Sequence, residues 1–143
     1  MKTLLSAITF LILMASCQNE NSNPSSADAS DTSSAKAEIK RINATDLVEM
    51  SKQDNVTILD VRTTDEYAQG FIAGTKQFID YNSPSFEDQI DVLDKSKTYI
   101  VYCKSGNRSS KALNIMRDKG FENLCELEGG ISSAPANLIT LKK

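Results

Sequence analysis

A chain of 143 residues with 16 basic and 19 acidic side chains carries a formal charge of −3, a mildly acidic balance with no basic patch large enough to engage nucleic acid. It contains no histidine, which excludes Cys-His and Ser-His catalysis and every histidine-containing zinc site. Its three cysteines do not make the disulfide framework of a small exported domain.

Residues 1–16 have the order of a bacterial export signal. Lys2 supplies the positive end, and residues 4–14 form an apolar run too short to span a bilayer as a helix. Leu13-Met14-Ala15-Ser16-Cys17 then places small residues directly before a cysteine. This resembles the lipobox of bacterial lipoproteins, which implies cleavage before Cys17 and lipidation of its sulfur. The alternative is an ordinary secretory peptide with a chance cysteine. Acyl chains on Cys17 would anchor the protein to a membrane of the cell envelope, facing the periplasm or the outside, each buried CH2 contributing about 0.8 kcal/mol.

Residues 17–37 continue from that cysteine as Ser, Asn, Asp and Ala, with Pro24 and almost nothing apolar. Such a stretch cannot bury enough surface to offset its ordering entropy. It is expected to be a flexible tether with a root-mean-square reach of about 25 Å and a full extension of about 70 Å.

Residues 38–143 are the expected folded domain, small enough for one core. Residues 39–42 read as a short edge strand. Asn43 is placed to cap a helix whose apolar face includes Leu47, Val48 and Met50. Residues 56–61 are a buried strand. Thr63 and Glu66 have capping-box spacing and open a short helix stopped by Gly70. A turn at Gly74 and a strand follow, ending near Phe78. Ser83-Pro84-Ser85 reads as a helix start with proline near the first helical position, the helix running to about Leu93. A strand at residues 98–103, a helix to about Lys119 and a strand at residues 123–127 come next. Gly129-Gly130 breaks the chain, and a short helix is expected from about Pro135.

Strands that alternate with helices imply an α/β fold, a mostly parallel sheet covered on both faces. Ligands bind such sheets at the carboxyl ends of the strands. Cys103 and Asp60 both fall there. Cys103 also precedes a helix, where outward-pointing N–H groups and the helix dipole favour negative charge at the sulfur. Lys104 and Arg108 add positive charge, and Gly106 lets the backbone curl. These conditions make a thiolate nucleophile at neutral pH without a neighbouring base. The alternative is a buried structural cysteine. Cys125, within an alternating strand pattern, is expected to be reduced core, a disulfide to Cys103 being the other option. No Walker-type or dinucleotide glycine motif is present, and no cofactor or metal is expected.

Leu59-Asp60-Val61-Arg62, Glu66-Tyr67, Gly70-Phe71-Ile72-Ala73-Gly74, Val101-Tyr102-Cys103-Lys104-Ser105-Gly106-Asn107-Arg108-Ser109, Gly120-Phe121 and Leu127-Glu128-Gly129-Gly130-Ile131 occur in that order. With these motifs the domain resembles the rhodanese family of sulfurtransferases over about residues 42–131. The resemblance implies a five-stranded parallel sheet and a persulfide carried on Cys103 between an anionic donor such as thiosulfate and a thiol or cyanide acceptor. Lys104, Ser105, Gly106, Asn107, Arg108 and Ser109 are then the substrate-binding loop. Main-chain donors hold the sulfur, Arg108 binds the sulfonate or braces the loop, and Ser109 caps the helix or donates to the loop. Asp60, Arg62 and Glu66 are supporting residues, Asp60 paired with a cation and Arg62 paired with Glu66.

Two departures stand out. The family usually has histidine where this chain has Phe71, and commonly a tryptophan shortly after Gly-Gly-Ile, where this chain has Ser132-Ser133-Ala134-Pro135. Both are expected to alter the pocket wall. A phosphatase or arsenate reductase is the enzymatic rival, but those loops place five residues between cysteine and arginine, and residues 104–107 make four here. A non-catalytic rhodanese-like binding module is the other rival; such modules often lack the cysteine that this chain keeps. The absence of a Cys-x-x-Cys pair argues against thiol–disulfide exchange.

Overall fold

The computed structural model describes residues 36–140. The expected signal segment, Cys17 and nearly all of the tether lie outside the described residues. Among the described residues, no helix is long and apolar enough to cross a membrane.

Five strands form one sheet in the order β1-β6-β5-β2-β4, every pair parallel. They are β1 (Ile39–Ile42), β2 (Val56–Asp60), β4 (Thr75–Phe78), β5 (Thr98–Tyr102) and β6 (Asn123–Leu127). The helices are α1 (Ala44–Met50), α2 (Thr64–Ala68), α3 (Phe86–Asp91) and α4 (Asn107–Asp118). The expected α/β fold with a five-stranded parallel sheet is therefore present, and β1 is an edge strand.

The period of two along each strand builds two cores. Tyr99 and Val101 of β5 join Leu59, Leu113, Met116 and Phe121 on one face. Ile100 and Tyr102 join Ile58, Leu47, Cys125 and Leu127 on the other. All five residues of β2 are buried, as an interior strand covered on both faces requires. Cys103 continues the alternation into the first cluster and Cys125 belongs to the second. The two cysteines are free and on opposite sides of the sheet, so no disulfide joins them.

The helix starts follow their capping chemistry. Asn43 accepts from the N–H groups of Thr45 and Asp46 at 2.8 and 3.0 Å. Thr63 accepts from Glu66 N–H at 3.3 Å, and Glu66 reaches back to Thr63 N–H at 3.2 Å, the reciprocal box that the spacing predicts.

One expectation is corrected and another narrowed. Pro84 is not at the first helical position. The cap of α3 is Ser85, and Pro84 sits in a turn closed by Phe86 N–H donating to Ser83 O at 3.0 Å. The short helix expected from about Pro135 does start there, with Pro135 as its cap, but it is a single 3-10 turn, Ala136–Leu138, preceded by another at Gly130–Ser133 and followed by β7 (Ile139–Thr140). That strand pairs antiparallel with β3 (Phe71–Ile72). The partner of β7 lies far away in sequence, so its short Leu-Ile-Thr run carries no local sign of pairing.

Candidate active site

Chain order puts the site where it is. From β2 the chain moves to β4 on one side, and from β5 it moves to β6 on the other. The loops leaving the adjacent carboxyl ends of β2 and β5 therefore diverge and open a crevice. Asp60 and Tyr102 are register partners at those ends, and Cys103 is the next residue.

Gly106, at φ +103°, turns the loop back over the sulfur and precedes α4. Its N–H donates to Cys103 Sγ at 3.1 Å, and Ser109 Oγ lies 3.6 Å from the same sulfur. Burial pushes the Cys103 thiol up, but the N–H groups of Ser109, Ser105 and Gly106 and the Ser109 hydroxyl outweigh it and hold the thiol below its ordinary value. Cys125 has no such donors, and burial raises it. The arrangement favours an anion on one sulfur and disfavours it on the other.

Gly130 explains what Gly-Gly-Ile contributes beyond a chain break. Its φ is +60°, and a Cβ there would collide with the main chain of Cys103 and Lys104. The bare glycine lets the turn dock: Ile131 N–H donates to Cys103 O at 2.9 Å, and Ser132 N–H to Lys104 O at 3.1 Å. The carbonyls of the cysteine loop are thus held from behind while N–H groups face the sulfur.

The charged residues pair differently from the expected Arg62–Glu66 contact. Arg62 is paired with Asp60 and Arg108 with Glu66. Arg62 Nη2 donates to Asp60 Oδ2 at 2.6 Å and to Gly70 O at 2.7 Å, and Arg62 N–H donates to Asp60 Oδ1 at 2.9 Å. Both side chains are buried. Arg108 donates from Nη1 and Nη2 to Glu66 at 2.7 and 2.9 Å. The reason is direction. Arg62 turns back along its own strand end to the carboxylate two residues earlier, while Glu66, fixed by its capping role, faces the start of α4.

Ser109 is not the cap of α4, which is Gly106. It lies one turn in and donates back to Gly106 O at 3.0 Å. Lys104, Ser105 and Asn107 are exposed and Arg108 is half-buried. Beside the loop is a cavity of about 220 Å³ lined by Arg62, Glu66, Lys104, Ile131, Ser132 and Ile139 among others. Ser132 does line this cavity, whereas Phe71 is stacked on Tyr67 at 4.7 Å, which stacks on Phe78 at 4.5 Å.

Sequence reasoning missed Glu126. Its residue is buried in β6, and its Oε1 accepts from Ser109 Oγ at 3.2 Å. An acidic residue inside the apolar run Leu124-Cys125-Glu126-Leu127 was the available signal. Among the described residues, no group of His, Cys, Asp and Glu side chains could hold a metal ion.

The fold and the loop geometry agree with the comparisons. The rhodanese-like domain pattern matches residues 43–134, and the chain belongs to that family. It is 32% identical over 95 residues to the putative sulfurtransferase YtwF of Bacillus subtilis, a match covering 66% of this chain and 88% of that protein. It is 28% identical to the thiosulfate sulfurtransferase GlpE of Shewanella oneidensis over 66% of this chain and 90% of that one. A tRNA uridine(34) hydroxylase of Cytophaga hutchinsonii is 31% identical over 64% of this chain, but the match spans 30% of that longer protein. Among solved structures, a rhodanese-related protein from Thermoplasma volcanium superposes with a TM-score of 0.60 at 33% identity, covering 72% of this chain and 99% of the other.

Proposed function

We propose that the protein is a thiosulfate-type sulfurtransferase in which Cys103 carries the transferred sulfur. In the first half, Cys103 thiolate attacks the outer sulfur of an anionic donor such as thiosulfate. The new S–S bond forms as the donor's S–S bond breaks, and sulfite leaves with the bonding pair. In the second half, cyanide or a thiolate attacks the outer persulfide sulfur and Cys103 leaves as thiolate.

Both halves need a stabilised anion on the cysteine side. The observation that supports this reading best is the convergence of Gly106 N–H and Ser109 Oγ on Cys103 Sγ, donors that cost no reorganisation when charge develops. Lys104 and the N–H groups of the loop are suited to a small anionic donor. Arg108 acts by bracing the loop through Glu66. The four-residue span from Cys103 to Arg108 makes a cradle for one sulfur, tighter than a phosphoryl group needs.

The test is intact-protein mass spectrometry after incubation with thiosulfate. A species one sulfur atom heavier, absent from Cys103→Ser and discharged by cyanide, is expected. No such species would favour a non-catalytic binding module. Cys103-dependent hydrolysis of an aryl phosphate would favour a phosphatase.

We also propose that residues 1–16 are a lipoprotein signal, that Cys17 is lipidated and that residues 17–37 tether a catalytic domain of residues 38–143 to the cell envelope. The order of positive end, short apolar run and small residues before Cys17 supports this. Incorporation of labelled fatty acid that is lost in Cys17→Ala is the expected result, and incorporation unaffected by that change would refute it.

A further inference from the structure

Glu126 has no part in the mechanism above, yet it lies under the same loop. Its carboxylate side chain is 8% exposed. Strand register sets it between Val101 of β5 and Arg41 of β1. Its Oε1 would stand 3.7 Å from a Cβ on Gly106, so it underlies the turn that cradles the sulfur. Its Oε2 lies 3.6 Å from Arg41 Nε, on a side chain that is 71% exposed.

The Ser109 hydroxyl has three acceptors around it. Gly106 O is at 3.0 Å, Glu126 Oε1 at 3.2 Å and Cys103 Sγ at 3.6 Å. A hydroxyl has one proton to give, and an ionised carboxylate is a strong acceptor for it. The share given to Glu126 is withheld from the sulfur. The carboxylate also acts directly, because the two contacts laid end to end put it within about 7 Å of the sulfur.

We propose that Glu126 is a positioning residue that acts through Ser109 to set the acidity of Cys103, drawing the hydroxyl proton away from the sulfur and limiting how far the loop stabilises the thiolate. This rests on Cys103 as the reacting sulfur. A limit has a use in that chemistry, since a thiolate stabilised too far is a poorer nucleophile. The same sulfur must both attack and leave.

The other charges around Cys103 are more fully matched. Arg108 of α4 is gripped by Glu66 of α2, with Asp80 also acting on it. Asp60 at the end of β2 is gripped by Arg62. Lys104 is exposed in the loop itself. Of the carboxylates on Glu66, Asp60 and Glu126, that of Glu126 has the most distant cation. It is therefore the least neutralised.

The test is a pH titration of thiolate ultraviolet absorbance in the full-length protein, taken as a difference against Cys103→Ser. Glu126→Gln, which keeps shape and removes charge, should lower the Cys103 pKa by about one unit. Ser109→Ala should raise it. In the Ser109→Ala background the Glu126→Gln shift should shrink, because only the direct charge effect is left. A purely structural Glu126 would loosen the loop and raise the pKa, or leave it unchanged; either result overturns the proposal. Arg41→Gln, at the exposed edge, should raise the pKa by stripping Glu126 of its counter-ion. An unchanged value there overturns the proposal even if Glu126→Gln does not fold. The titration uses no sulfur donor, so failure of transfer would sink the function proposed above and leave this result standing.

Discussion

Arg108 and Glu66 meet across the site in a two-pronged ion pair, with contacts of 2.7 and 2.9 Å. Glu66 caps α2 from the same carboxylate. One side chain therefore links the start of α2 to the start of α4, and through α4 to the cysteine loop. The Arg108 hydrogen bond, with burial opposing it and Thr63 assisting, holds the Glu66 carboxyl down at about 2.

This pair makes stability depend on acid. A carboxyl whose folded pKa is depressed contributes fully above its unfolded value, and the contribution is lost as pH falls from about 4.5 to about 2. Glu66→Gln can still cap α2 but loses the ion pair. With allowance for solvent screening of a side chain 25% exposed, it should cost about 1–2 kcal/mol at pH 6 and nothing at the acid end. Urea unfolding at a series of pH values checks this; parallel profiles for variant and wild type would refute it.

The buried Asp60–Arg62 pair should behave more severely. Removing one partner leaves a buried charge without its counter-ion, at a cost of about 3–5 kcal/mol. Arg62→Met is expected to lose that much in chemical denaturation. Pairing it with Asp60→Leu should recover a large part, because no unpaired charge is left. A double variant no better than the single one would show that the fork to Gly70 O matters more than the charge.

Gly130 offers a steric test of the loop. Gly130→Ala drives a methyl group into the main chain of Cys103 and Lys104 and should cost about 2–4 kcal/mol, with the Cys103 thiol losing its lowered pKa. Gly120 also has a positive φ, +88°, but a Cβ there meets nothing within 4 Å. Gly120→Ala should cost about 1 kcal/mol and leave the thiol alone. Equal thiol titrations in the two variants would remove Gly130 from any role in shaping the site.

The two described cysteines should differ in reactivity. With a lowered Cys103 and a raised Cys125, a small alkylating agent at neutral pH is expected to modify Cys103 first. Cys125 should be modified only after unfolding. Peptide mapping after brief exposure reads the order directly, and preferential labelling of Cys125 would contradict the donor geometry.

Much of this was legible in the residues alone because it is local. The strand at residues 56–60, the helix cap at Asn43, the capping box at Thr63 and the turn at Gly106 rest on spacings of two to four residues. The placement of Cys103 between a strand end and a helix start is of the same kind. Alternating strands and helices then implied a parallel sheet, and a parallel sheet implied a site at its carboxyl edge. The bearing of the Phe71 substitution was not local. Its ring joins a stack with Tyr67 and Phe78, which no spacing along the chain reveals.

From its sequence alone the chain determined its fold class, the place of Cys103 between a strand end and a helix start, and the absence of any imidazole beside it. Only the tertiary structure decided which acid meets which base: Arg62 with Asp60, Arg108 with Glu66, and Ser109 between Cys103 and Glu126. Hydrophobic periodicity orders residues along an element, but it does not set the angle at which two elements meet. A long polar side chain chooses its partner by that angle and by what is left uncovered after packing, so its pairing emerges only when the sheet and helices are in place.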